Sequence, residues 1–363
     1  MTRLGPVVIG AFGIVILLLA AQSFVGSGGF AYDYEAYDLA ARRLVAGQAL
    51  YPAGLAEAYN SGAYAGLYLY PPPLAVGVMP LTVLGPADAA MVWLAARIAL
   101  LVLGVALLPV SALARGSVLA VAAISFPVWY DLNLGNLSVI ILFLSSVIWR
   151  FRDGVVGSVA LAVAGVLRYP FGLVLLGWLL ARRWKAVAWT VAAGVVIVTA
   201  TLPVVGIQGW LDYLAALSGL RDVSAGEHNL SLATTARSLG LPGPDGLWVA
   251  VGIGAAGIAT AWATLRRDPE TALVVSLTGA IFFFPFFHPH YLVQLLIPAA
   301  FLAGRGQWWG LLLPLLGWLP GEYLAPAAIV ATLLPLVPPR FASFSAAARS
   351  GEAAGFETGP TPP

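Results

Sequence analysis

Along most of this chain apolar runs alternate with short connections, and the connections that carry Arg or Lys fall on one side when the runs are read as membrane crossings. Arg3, Arg115, Arg150 with Arg152, Arg182 with Arg183 and Lys185, Arg266 with Arg267, Arg305 and Arg340 make up that basic set. A bias of this kind orients a membrane protein with its basic connections, and here both termini, in the cytoplasm. The alternative of a soluble core fails on composition. With 60% hydrophobic and 9% charged residues and a mean hydropathy of +0.91 over 363 residues, the polar groups cannot cover a water-exposed surface. The expected fold class is an all-α polytopic membrane protein: one bundle of about 12 transmembrane helices, several shorter than the ~20 residues of a perpendicular crossing.

Hydropathy places the spans near 6–25, 87–108, 117–130, 136–149, 154–168, 171–181, 186–205, 246–264, 271–287, 291–303, 307–319 and 323–337. The opposite connections, 26–86, 131–135, 169–170, 206–245, 288–290 and 320–322, then face outward. Residues 71–84 are apolar but carry Pro71, Pro72, Pro73 and Pro80, and they read as re-entrant or interfacial. A single domain covers 1–340, and the Ala-, Gly-, Ser- and Pro-rich stretch 341–363 reads as a disordered cytoplasmic tail. The first apolar run has a second reading as a signal peptide, since Arg3 precedes it and Ala20 and Ala21 follow. No internal repeat is visible. The absence of cysteine excludes disulfides and thiol catalysis, and His228, His288 and His290 are too scattered for a metal cluster.

The unusual residues gather in the outward set. Residues 26–86 open with Phe30-Ala-Tyr-Asp-Tyr-Glu-Ala-Tyr-Asp38, where Tyr34–Val45 suits a helix lying at the interface. Asp38 and Arg42 are spaced for an ion pair, which leaves Glu35 and Asp38 as solvated interface charges. Asp33 has no basic residue at that spacing, and Tyr37 lies one turn on. Two roles compete for it: N-cap of the helix starting at Tyr34, or a catalytic carboxylate. Tyr68 and Tyr70, in Tyr-Leu-Tyr-Pro-Pro-Pro73, suit headgroup anchoring or ligand contact. Arg97, with Trp93 one turn earlier, lies inside a span and calls for a buried acid. Arg168, between apolar segments, calls for an anion unless it snorkels to the interface.

An Asp in the first outward connection, then Tyr37-x-x-x-Ala-Arg-x-Leu-x-x-Gly47, Leu50-Tyr-Pro and Tyr70-Pro-Pro, resembles glycosyltransferase family 87 of the GT-C superfamily. These are polyprenyl-phosphate-mannose-dependent mannosyltransferases, with arabinofuranosyltransferases related to them. The resemblance runs to about residue 303. Gly135-Asn136 matches the family's Gly-Gln-x-Asn region, with Asn where Gln is commoner, and Arg168-Tyr169-Pro170 stands where the family has a Lys near Pro. His228-Asn229-Leu230-Ser231-Leu232 with Arg237 is similar to Asn-Gln-Ser-Leu with a trailing Arg. His288-Pro-His290-Tyr291 takes the place of Ser-Trp-x-His-Tyr.

The resemblance implies inverting transfer of mannose from a polyprenyl-phosphate donor to a hydroxyl of a glycolipid or lipid-linked glycan at the extracytoplasmic face of the plasma membrane. Such a displacement needs one base for the acceptor hydroxyl and cations or donors for the departing phosphate. Asp33 is the expected base. Arg168, Asn229, Ser231, Arg237 and His290 are the expected contacts to donor phosphate and sugar, and Tyr37, Tyr70, Asn136 and His288 are secondary candidates. No cofactor, metal or nucleic acid enters this scheme; the partners are the lipid-linked donor, the acceptor and membrane lipids. A polyprenyl-phosphate-arabinose donor is the nearest alternative. A transporter is the alternative of another class, although its polar groups belong at midplane in repeated, broken helices.

Overall fold

The computed structural model describes residues 4–220, 262, 268–283 and 287–337, and regular structure among them is entirely helical. Asn229, Ser231, Arg237, the predicted span 246–264 and the tail 341–363 lie outside the described residues. Helix α1 spans Leu4–Phe24. The first connection then folds into α2 (Tyr32–Val45), α3 (Leu55–Asn60), α4 (Pro72–Val78) and a 3-10 turn, Met79–Val83. There follow α5 (Pro86–Leu107), α6 (Ala112–Ile124), α7 (Phe126–Leu134), α8 (Ser138–Arg150), α9 (Val155–Leu167), α10 (Gly172–Leu180) and α11 (Trp184–Gly219). Helices α12 (Pro269–Gly279), α13 (Leu296–Gly304) and α14 (Gly321–Leu333) complete the described chain, with 3-10 segments Pro289–Leu295 and Trp308–Trp318 between them.

The chain is a membrane protein, and its helix lengths refine the predicted spans. Among the described residues α1, α5 and α11 are long and apolar enough to cross a bilayer, and a fourth crossing arises if α6 and α7 count as one. That pair corrects the single span expected at 117–130. Pro127 cannot continue the hydrogen-bond ladder of α6, so the chain bends by 65° between α6 and α7, and Ser125 Oγ donates to Pro314 O at 3.0 Å in the break. A second correction concerns residues 207–219, expected as connection but helical. Gly206, non-helical at φ 65° and ψ 174° and three residues after Pro203, breaks α11 into two helical halves. The redirected half then packs Tyr213 and Ala216 on the first connection.

Two apolar cores result. The larger joins α1 and α5–α14. The smaller lies beneath the first connection and is built from Tyr34, Tyr37, Leu50, Tyr51, Tyr68, Leu74 and Leu137. Tyr68 is therefore no headgroup anchor. It is fully buried, its hydroxyl donating to Pro71 O at 2.7 Å and accepting from Ala75 N at 2.9 Å. Asp38, expected as a solvated charge, is buried too, because Arg42 reaches over it. Arg42 bonds Asp38 at 2.7 Å, as its spacing predicted, and also the Thr82 and Leu84 carbonyls.

The buried acid that Arg97 called for is Asp131. Arg97, from α5, bonds Asp131 Oδ2 at 3.3 Å and the main-chain oxygens of Asp131, Leu132 and Asn136 at 2.7, 2.6 and 3.3 Å. The Asp131 carboxylate in turn accepts from Ser138 N at 2.9 Å and Val139 N at 3.4 Å. One pair thus satisfies the last carbonyls of α7 and the first amides of α8, groups that every helix end leaves open. At the far ends of α8 and α9 the basic connections meet acids: Arg152 reaches Glu270 at 3.5 Å, Arg305 reaches Asp268 at 3.0 Å, and Arg183 pairs with Asp153. Replacing one member of the buried pair strands the other. Arg97→Met should cost about 3–5 kcal/mol of stability, measured by thermal unfolding in detergent, and the double variant with Asp131→Leu should lose less than the sum of the two single changes.

Candidate active site

The turn between α7 and α8 sets the site. Gly135 adopts φ +84°, and a Cβ there would lie 2.6 Å from Tyr34 Cβ, so this contact with α2 requires glycine. Trp93 Nε1 donates to Gly135 O at 2.9 Å, and Ala31 N donates to Asn133 O at 2.7 Å. The start of α2 is thereby fixed against the end of α7, with Asn136 between them.

Asp33 does not cap α2. The helix begins at Tyr32 with Ala31 as N-cap, and no side chain caps it. The Asp33 carboxylate instead turns toward Asn136, whose Nδ2 donates to Asp33 Oδ2 at 2.7 Å and to the Tyr70 hydroxyl at 3.2 Å. The other amide atom, Asn136 Oδ1, accepts from Arg168 Nη2 at 2.5 Å and from Leu137 N at 2.6 Å. Donors on one atom, Ser138 Oγ at 3.4 Å among them, and two oxygens on the other define the orientation of the amide. An acid, an amide and a guanidinium from three separate elements therefore form one chain.

Around it Arg168 is buried, its guanidinium 4.0 Å from the centre of the Tyr291 ring, which rules out the snorkelling alternative. His290 is buried against Tyr291 at 4.6 Å and parallel to His288 at 5.6 Å, and among the described residues neither of its ring nitrogens has a hydrogen-bond partner. Tyr37 stands edge-on to Tyr70 at 5.0 Å. A cavity of about 10 Å³ beside Arg168, lined also by Phe171, Ile281 and Tyr291, has room for about one water. Burial raises the Asp33 carboxyl above its ordinary value, against the Asn136 bond and the charges of Arg168 and Arg97, which draw it down.

Of the sequence-predicted residues, Asp33, Tyr37, Tyr70, Asn136, Arg168, His288 and His290 come together at this one end of the bundle. Asn136, expected only as a secondary candidate, is the joint. Asp131 was missed. Its signal was charge balance, a lone acid closing an apolar run while Arg97 lacked a partner in another.

The family model described as glycosyltransferase family 87 matches residues 68–289. The chain belongs to glycosyltransferase family 87. It is accordingly a membrane glycosyltransferase, using a sugar donor and an acceptor. The matched stretch includes Tyr70, Asn136, Arg168 and His288, while Asp33 lies ahead of it and His290 one residue beyond. No curated protein and no solved structure matches the chain.

Because the Asn136 bond favours the charged carboxylate, Asn136→Leu should raise the titration of Asp33 further. Infrared titration of the carboxyl band, assigned by its loss in Asp33→Asn, reads this shift, and an unmoved band contradicts the network.

Proposed function

We propose that this family 87 enzyme transfers mannose, with inversion, from polyprenyl-phosphate mannose to a hydroxyl of a glycolipid or lipid-linked glycan at the extracytoplasmic face of the plasma membrane. The reading is carried by one observation: the Asn136 amide joins the Asp33 carboxylate to the Arg168 guanidinium. An acid able to take a proton and a cation able to meet a phosphate are thus held side by side.

In this reaction the acceptor oxygen attacks the anomeric carbon from the face opposite the phosphate. Its proton passes to Asp33, the bond from anomeric carbon to phosphate oxygen breaks, and polyprenyl phosphate leaves with its added charge on Arg168. The raised carboxyl of Asp33 suits a base, since efficiency peaks when the pKa approaches the working pH. His290, whose buried ring nitrogens have no hydrogen-bond partner among the described residues, is assigned to the phosphate or a sugar hydroxyl. Tyr37 and Tyr70 set the wall behind Asp33. Asn229, Ser231 and Arg237 keep their sequence-based assignment to donor phosphate and sugar. For the prenyl chain, an apolar groove of about 500 Å³ between Trp308–Trp318 and α14 offers Trp309, Leu312, Leu316, Val330 and Leu334. Both of its walls pack on the Pro289–Leu295 segment that carries His290.

Purified enzyme given polyprenyl-phosphate mannose or polyprenyl-phosphate arabinose, with extracted membrane lipids as acceptors, tests the reading. Product should form from the mannose donor, and preference for arabinose overturns that choice of sugar. Asp33→Asn should lower turnover about 10³-fold, and near-normal turnover removes Asp33 as base. In the wild type the rate should climb with pH through the raised titration of Asp33, because only the deprotonated carboxylate accepts the proton.

A further inference from the structure

Gln294 is 1% exposed, while the chain's other glutamines, Gln22, Gln48, Gln208 and Gln307, are exposed or half-buried. Its neighbours Leu292, Val293, Leu295 and Leu296 are buried and apolar, and an amide among them costs free energy unless its hydrogen bonds are met. Both ends of the amide are met on α8. Ser145 Oγ donates to Gln294 Oε1 at 3.1 Å, and Gln294 Nε2 donates to Ser138 O at 3.3 Å. Ser138 is in turn tied to the candidate site. Its main-chain N donates to Asp131 Oδ1 at 2.9 Å, and its hydroxyl donates to Asn136 Oδ1 at 3.4 Å, the same amide oxygen that accepts from Arg168.

The local backbone gives Gln294 a second link to Arg168. Pro298 supplies no N–H to the Gln294 carbonyl four residues back, and the chain before α13 takes the tighter 3-10 form over Pro289–Leu295. Side chains three apart in a 3-10 helix stand on one edge, so Gln294 shares an edge with Tyr291. The Tyr291 ring lies 4.0 Å from the Arg168 guanidinium. Arg168 thus touches two surfaces, the Asn136 amide on the α8 side and the Tyr291 ring on the 3-10 segment. Gln294 bonds the one element to the other.

We propose that Gln294 is a positioning residue for the donor phosphate: by clamping the segment that carries His290 and Tyr291 to the start of α8, it fixes the orientation in which Arg168 receives the phosphate. The proposal rests on the assignment of Arg168 to that phosphate. A guanidinium is a planar fork that meets phosphate oxygens through parallel N–H groups, so its tilt decides how many of them engage. Leucine at position 294 would fill a similar volume and suit the apolar surroundings. What the amide adds is direction, since its two ends accept only one register of the segment along α8.

Gln294→Leu should fold with an unfolding midpoint close to wild type, because Ser138 O remains inside α8 and the Ser145 hydroxyl can turn to a carbonyl one turn back. Calorimetry on the full-length enzyme in detergent then compares two probes, undecaprenyl phosphate and the uncharged alcohol undecaprenol. Gln294→Leu should weaken the phosphate about tenfold and leave the alcohol unchanged. Combined with Tyr291→Leu it should add little further loss, because both changes act on one guanidinium. Ser145→Ala should reproduce part of the loss, and Ser145→Thr, which keeps the hydroxyl, should not. Wild-type phosphate affinity in Gln294→Leu overturns the proposal. Equal weakening of phosphate and alcohol, or full addition of the Tyr291→Leu loss, also overturns it, since a merely structural role gives those results. Mannose transfer measured alongside separates the two claims. If wild type binds the phosphate but transfers no mannose, the proposed reaction fails and the binding comparison still decides the clamp; if wild type transfers mannose and Gln294→Leu binds as wild type does, only the clamp fails. Wild type that binds the phosphate no better than the alcohol removes Arg168 as the phosphate contact, and the clamp with it.

Discussion

The site depends on one buried ion pair. Arg97 and Asp131 are almost fully enclosed, at 1% and 0% side-chain exposure, where an isolated charge costs several kcal/mol. What offsets that cost is the number of main-chain groups the pair serves. Arg97 holds three carbonyl oxygens at the end of α7 and beyond, and Asp131 holds two amides at the start of α8. With both helix ends satisfied by protein groups, the turn from Leu134 to Leu137 is held within the bundle. That turn places Asn136 and receives the start of α2.

The first connection uses the same economy with tyrosine. Tyr34 stacks on Trp93 at 5.4 Å, Tyr37 meets Trp93 and Tyr70, and the Tyr51 hydroxyl donates to Tyr70 O at 2.7 Å. These rings bury apolar area, and the hydroxyls of Tyr51 and Tyr68 reach the Tyr70 and Pro71 carbonyls of the proline-rich segment. Arg42 does the same for the carbonyls of Thr82 and Leu84. The connection consequently has a core of its own, and α2 holds Asp33 to a fixed position over Asn136. A loosely tethered segment would leave the carboxylate to solvent, without the burial that raises its pKa.

Much of this was legible in the sequence, and what was hidden has physical causes. Apolar runs and basic connections gave the helical bundle and the gathering of Asp33, Arg168 and His290 at one end, because hydropathy and charge act residue by residue. Helix direction was less legible. Pro127 and Gly206 mark irregular backbone, yet at each of them a second helix follows the break at once, where the sequence reads one continuous span at the first and a connection after the second. Burial within a connection was least legible, since Asp38 and Tyr68 have the composition of a surface: Arg42 covers Asp38 while bound to the Thr82 carbonyl, and Tyr68 is enclosed among the rings of Tyr37, Tyr51 and Tyr70. Asn136 looked secondary for the same reason: an amide has no charge to signal it, and its importance lies in two bonds to side chains 103 and 32 residues distant.

The neutrality of that amide has a consequence for the proposed reaction. A carboxylate and a guanidinium in direct contact favour each other's charged forms, which depresses the acid and weakens it as a base. They would also occupy the lone pairs and N–H groups that hydroxyl and phosphate need. An amide between them offers one donor to the acid and one acceptor to the cation, so each is oriented without a direct pair between them. The hydrogen bond to Asp33 still favours the carboxylate, but burial outweighs it, and the carboxyl stays above its ordinary value. During transfer the proton arrives at Asp33 as negative charge develops on the phosphate at Arg168. Through Asn136 the two events share one polarisable chain. A carboxylate at position 136 would break it by repelling Asp33, and a cation would break it by pairing with Asp33, so the amide suits both ends of the reaction.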